Sequence, residues 1–120
     1  MKKPDASTVT WYEANVPVDP RAVRGQMFGH PCAFVNGNLF FGTFEQTLIA
    51  RVGTDRAAAL AQGGVVRVFE PMAGRPWKDY VQIAAGQVGD AELRHLVKGA
   101  LDHTARLAPK VEKKAKAKKA

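Results

Sequence analysis

The stretch Cys32-Ala33-Phe34-Val35-Asn36-Gly37-Asn38-Leu39-Phe40-Phe41-Gly42-Thr43-Phe44 carries the decision about the fold. Two apolar runs, Cys32–Val35 and Leu39–Phe44, flank Asn36-Gly37. That pair enters a tight turn with positive φ at little steric cost, so it favours a type I′ hairpin, with Asn38 leaving the loop length open. Outward on the N-terminal side, Ala22–Met27 reads as an earlier strand. On the C-terminal side, Glu45-Gln46 separates Phe44 from a further strand, Thr47–Val52. Three or four strands in sequence with short links predict an antiparallel meander.

Helix signals bracket this meander. Ser7 can cap a short helix over Thr8–Ala14, which Pro17 and Pro20 end. Thr54 can cap a second, with Asp55 at its first turn, Arg56–Gln62 as its body and Gly63-Gly64 as its stop. Val65–Phe69 reads as a short strand and Pro71–Pro76 as a loop. Trp77–Ile83 returns as a strand, with Trp77, Val81 and Ile83 on one face and Lys78, Tyr80 and Gln82 on the other. Asp90 is expected to cap the last helix. Its apolar positions, Leu93, Leu96, Val97, Ala100, Leu101, Thr104 and Leu107, draw one stripe of helical period. Asp90–Arg94 and Asp102–Arg106 are expected as i,i+4 pairs on the outer side. A striped helix needs a flat apolar surface to cover, and the antiparallel sheet offers one, so a two-layer α+β domain is predicted.

Length and composition agree with a single domain. The chain has 120 residues, 46% hydrophobic and 24% charged, a balance that excludes a wholly disordered protein. No apolar run approaches the ~18 residues that would cross a bilayer. Met1-Lys2-Lys3 is followed by Pro4–Thr8 where a leader would carry its apolar segment, so no secretory signal is expected. Cys32 is the single cysteine, which excludes an internal disulfide and a Cys-pair metal site and makes a reduced, cytoplasmic setting the simplest expectation. The formal charge of +7 is uneven. Residues 109–120 hold six lysines against Glu112, whereas residues 1–108 hold twelve basic and ten acidic side chains. The body is close to neutral. The Lys/Ala tail cannot bury enough surface to order itself and is expected to be disordered, either as a solubilising appendage or as an arm for phosphates.

Few residues fit a recognised chemistry. His30 and Cys32 could share a strand face, but a Cys–His nucleophile needs a third orienting group, and none is evident. His95 and His103 lie about two helical turns apart, ~12 Å, too far to share a metal. No G-x-G-x-x-G or G-x-x-x-x-G-K-[ST] string occurs. Glu70 and Asp79 could act as acid and base, but Arg75 and Lys78 beside them favour ion pairing. Met27, Phe28, Phe40, Phe41, Phe44, Phe69, Met72 and Trp77 form an apolar set too large for one short helix to hide. It is either ordinary core or, in part, an exposed patch for a partner or a second copy of the chain.

Three stretches carry a family resemblance: Arg24-Gly25-Gln26-Met27-Phe28-Gly29, Phe34-Val35-Asn36-Gly37-Asn38-Leu39-Phe40-Phe41-Gly42, and Phe69-Glu70-Pro71-Met72-Ala73-Gly74-Arg75-Pro76-Trp77-Lys78-Asp79-Tyr80-Val81. In this order they are similar to the TfoX/Sxy N-terminal domain family, over roughly residues 10–107. The resemblance implies an α-β-β-β-α-β-β-α two-layer fold, a bacterial protein, and kinship with regulators of DNA-uptake competence that have no known enzymatic activity. Family members often carry Gly-Gly after Met-Phe. Here Gly29 is followed by His30, which would be strained if that position needs a left-handed backbone.

These readings combine into one expectation. The fold class is α+β, a two-layer α-β(3)-α-β(2)-α arrangement with an antiparallel sheet covered by helices. Residues 1–9 form a flexible N-terminus, 10–108 the domain, and 109–120 a disordered tail. The protein is expected to be a small non-enzymatic regulatory or protein-binding module, cytoplasmic, with no catalytic residue, cofactor, metal or membrane. The expected partner-binding residues are Met27, Phe28, Met72, Arg75, Trp77 and Tyr80, for a protein or for self-association. The alternative is a nucleic-acid-binding protein using Lys110, Lys113, Lys114, Lys116, Lys118 and Lys119.

Overall fold

The computed structural model describes residues 2–64 and 66–108; the lysine tail lies outside them. The elements run α1 (Ala6–Asn15), β1 (Val23–Met27), β2 (His30–Val35), β3 (Asn38–Phe44), β4 (Thr47–Arg51), α2 (Thr54–Gln62), β5 (Arg67–Met72), β6 (Arg75–Ile83) and α3 (Asp90–Ala105). The strands form one antiparallel sheet in the order β1-β2-β3-β4-β6-β5. The fold is α+β, with helices covering the sheet. The four strands read along the chain all precede α2, one more than the α-β(3)-α-β(2)-α formula counts, and Phe28-Gly29 closes the first, β1, onto β2 as a hairpin of its own.

Asn36-Gly37 makes the predicted two-residue turn, at φ 52° and 81°, and pairs Val35 with Asn38. One residue later the ladder slips. Phe34 faces Leu39 but Ala33 faces Phe41, which leaves Phe40 as an extra residue. Such a bulge re-aims side chains. It lets Phe40 and Phe41, neighbours in sequence, both reach the same core.

That core lies between the sheet and the helices. Leu93, Leu96, Val97, Ala100 and Leu101 of α3 meet Phe40, Phe41, Leu48, Ala50, Val81 and Ile83 of the sheet, with Tyr12 of α1 and Ala57 of α2 at its sides. The predicted stripe is buried from Leu93 to Thr104, and Leu107, beyond the helix, is half-buried. The opposite sheet face has its own cluster: Cys32, Leu39, Phe44, Ile49, Phe69 and Tyr80, with Met27, Phe34 and Trp77 packed against it. Phe44 on β3 and Phe69 on β5 have ring centroids 4.8 Å apart. Two strands lie between theirs, so a flat sheet would hold the strands about 14 Å apart. The sheet therefore curls around this cluster and buries it without a helix.

Several local expectations are corrected. Asp5, not Ser7, caps α1: its carboxylate accepts from Thr8 N (2.9 Å) and Ser7 Oγ (2.8 Å), and these bonds hold its carboxyl below the ordinary value. The helix thus starts at Ala6, within the segment expected to be flexible. Gly53 and Gly89 precede α2 and α3, which moves Thr54 and Asp90 from the cap position to the first turn. The fifth strand starts at Arg67 rather than Val65. Pro71–Pro76 is a hairpin closed by Met72 and Arg75, not a loop. Its prolines flank that closing pair at the next position, the non-hydrogen-bonded one, where a missing N–H costs the ladder nothing. Asp102 pairs with Arg21 at 3.3 Å and lies 4.0 Å from Lys98, in place of the expected Arg106.

Candidate functional site

Of the six expected binding residues, Met27, Trp77 and Tyr80 belong to the cluster on the curled face, and Phe28, Met72 and Arg75 lie at two hairpin tips. β6 irregularity explains one surprise. Val68 faces Val81 but Phe69 faces Trp77, so Lys78, Asp79 and Tyr80 take up extra length. The kink turns the Asp79 carbonyl onto the amides of Val52 (2.9 Å) and Gly53 (3.1 Å). It also brings Trp77 onto the face of Tyr80 instead of that of Val81 and Ile83. Trp77 packs edge-on against Phe69 at 5.1 Å and Tyr80 at 5.2 Å.

Tyr80 lies beneath the surface, 7% exposed, and its hydroxyl donates to the Leu39 carbonyl at 2.8 Å across the curl. Burial, with Arg51 opposing it, pushes its hydroxyl up to about 12. The Arg51 guanidinium lies over the ring at 5.5 Å and bonds Asp79 at 2.6 Å. Asp79 is therefore ion-paired, and Glu70 accepts from Gly74 N at 2.5 Å in its own hairpin turn. Met27 and Trp77 are half-buried, closing the cluster at its rim. Phe28 and Met72, each 65% exposed, stand out from the two hairpin tips, and Arg75 is exposed beside Met72.

The tip at Phe28 is strained. Phe28 has φ 55°, uncommon for a bulky side chain, and Gly29 follows at φ 79°. The left-handed position thus falls on Phe28, and His30 is an ordinary strand residue, contrary to the strain expected there. His30 is 1% exposed and stacks on Phe44 at 5.9 Å. Its Nδ1 lies 3.0 Å from the Phe28 carbonyl and its Nε2 3.0 Å from the Lys2 carbonyl. The ring clasps the turn from below and fastens the N-terminal segment to it. Gln46 adds two ties to that segment, accepting from Asp5 N (2.8 Å) and donating to the Lys3 carbonyl (2.9 Å). Sequence spacing could pair His30 only with Cys32, because nothing local marks its partner at Lys2.

His30 and Cys32 do share the curled face, but both ring nitrogens are engaged by carbonyls. Cys32 is fully buried, its Sγ 3.9 Å from the Thr43 carbonyl, and burial pushes the thiol up to about 11. That contact has a sequence cause. Pro31 lacks an N–H in an interior strand, so Cys32 Sγ turns to the Thr43 carbonyl while Thr43 Oγ1 donates to the Pro31 carbonyl at 2.9 Å. His95 is exposed and His103 half-buried on α3. Among the described residues no three His, Cys, Asp or Glu side chains come together to hold a metal. Also among them, no helix is long and apolar enough to cross a membrane. Lys110, Lys113, Lys114, Lys116, Lys118 and Lys119 lie outside the described residues. In comparisons with known proteins, no family model matches the chain, nor does any curated protein or solved structure.

Proposed function

We propose that this protein is a small, cytoplasmic, non-enzymatic module that binds a protein partner through the hairpin tips of its curled face. The observation that carries the reading is Phe28, a large aromatic side chain 65% exposed and held at φ 55°. A bulky residue in that conformation costs free energy that glycine or asparagine would avoid, and such outliers concentrate at functional positions. Met72 and Arg75 stand at the β5–β6 tip, which the register sets at the opposite end and opposite edge of the sheet, and offer a second contact there. Met27 and Trp77 support it from the rim, and Tyr80 anchors the cluster below. The sequence resemblance to the TfoX/Sxy N-terminal domain family points to a regulatory role of the same kind.

The test is co-purification from the source cell with the full chain as bait, in wild-type, Phe28→Asn and Met72→Gln forms. Proteins held by the wild type and lost by both variants support the reading. Identical capture by all three baits overturns it. A second reading rests on the six lysines of residues 109–120, which would give weak nucleic-acid binding that falls steeply with salt. Replacing those lysines with glutamine separates the two, because only the second reading needs their charge.

A further inference from the structure

We infer that β1 is an open sheet edge built to pair with β1 of a second copy of this chain, an edge that borders the Phe28 tip and shares Met27 with the surface proposed above. The two edges of the sheet differ in how they are guarded. β5 carries Pro71, the charges of Arg67 and Glu70, and two register irregularities. These are the features that keep edges from pairing. β1, Val23–Met27, has an unbroken register with β2 and contains neither proline nor lysine. Its one charge, Arg24, is already tied to Glu13 of α1. All its residues are exposed except half-buried Met27, and among the described residues no strand lies on its far side.

The register fixes which backbone groups face outward. Met27 and His30 close a two-residue turn, so they form a hydrogen-bonded pair, and pairing alternates from there. Val23, Gly25 and Met27 bond to β2. Arg24 and Gln26 turn their N–H and C=O groups to the open side, consistent with Gln26 standing opposite Pro31.

Only an antiparallel partner that matches Arg24 and Gln26 with hydrogen-bonding positions completes this edge. A two-fold axis at Gly25 does so with the same strand: Arg24 faces Gln26 of the second copy, and Gln26 faces its Arg24, giving both hydrogen-bonded pairs. Gly25 meets Gly25 at the close, non-hydrogen-bonded position. Val23, 60% exposed, meets Met27 on the curled face. Shifting the axis to Arg24 would set like charges opposite each other, which destabilises a pair. Shifting it to Gln26 would set Arg24 against Phe28 at the strained turn. The Gly25 axis matches all five residues without a charge conflict and joins two sheets into one.

Sedimentation of the full chain across micromolar to millimolar concentration tests this, with Gln26→Pro and Val23→Lys as variants. Gln26→Pro removes an outward N–H and no bond to β2, and Val23→Lys sets a charge against the second copy's Met27. The expected result is a reversible wild-type dimer whose Kd rises at least ~10-fold in each variant, with unchanged far-ultraviolet circular dichroism. Concentration-dependent slowing of exchange at the Arg24 and Gln26 amides would accompany it. A monomer at every concentration overturns the inference, whether or not another protein binds the edge. A dimer that both folded variants retain overturns it equally.

Discussion

Tyr12 and Tyr80 are both buried, yet their hydroxyls stand in opposite situations. Tyr80 Oη donates to the Leu39 carbonyl, whereas Tyr12 Oη, like Asn15 Oδ1, has no hydrogen-bond partner among the described residues. Removing a hydroxyl that satisfies a buried carbonyl leaves that carbonyl unpaired, while removing an unpaired one relieves a desolvation penalty. Tyr80→Phe is expected to lower the unfolding free energy by about 1 kcal/mol, and Tyr12→Phe to leave it unchanged or raise it by up to about 1 kcal/mol, by urea titration. Gly42 gives a third residue-scale test. A Cβ there would run into the Cys32 side chain and stand 3.1 Å from Cys32 Cα, which is backbone and cannot swing away. Gly42→Ala is expected to destabilise by about 1–3 kcal/mol in the same titration.

At the scale of elements, α3 is the part most fully foreseen, because its apolar spacing is long and regular. Leu93 and Leu101 are completely buried against the sheet, so Leu93→Ala or Leu101→Ala should each cost about 2–5 kcal/mol in urea unfolding. The Asn36-Gly37 hairpin was equally legible, since its turn residues have few other uses. The irregular parts were not. Alternation along β6 predicted Trp77 beside Val81, but a bulge set by tertiary bonds to the Asp79 carbonyl moved it beside Tyr80. The prolines of the β5–β6 hairpin looked like a loop because their strand positions are harmless only in one pairing register. Ser7 reads as a cap in the sequence because both it and Asp5 can accept from a first-turn amide, and only the observed start at Ala6 selects Asp5. Of the candidate site, the residue types were visible in the sequence, but the left-handed Phe28 and the His30 clasp beneath it depend on contacts with Phe44 and Lys2 that no local pattern encodes.

At the scale of the molecule, the sheet has two apolar faces, one covered by helices and the other closed by its own curvature around aromatic rings. The second face contains two titratable groups held protonated by burial, Cys32 at about 11 against an ordinary 9.0 and Tyr80 at about 12 against 10.0. The unfolded chain loses these protons first as pH rises. Their stabilising contribution is therefore complete below about pH 9 and is lost progressively as pH climbs through the folded values of about 11 and 12. Thermal melts should show a falling Tm over this alkaline window, shallower in Tyr80→Phe, and the native thiol should resist alkylation at neutral pH until urea exposes it.

Strain at Phe28 that serves a partner should be relieved only at the expense of binding. Phe28→Asn would give this turn the Asn-Gly pair that the Asn36-Gly37 turn already uses. The most direct measurement follows unfolding free energy and partner capture on that one variant. The expected variant is more stable than the wild type by about 1 kcal/mol and no longer retains the partner. A variant that is no more stable and binds as the wild type does overturns the proposed role of Phe28.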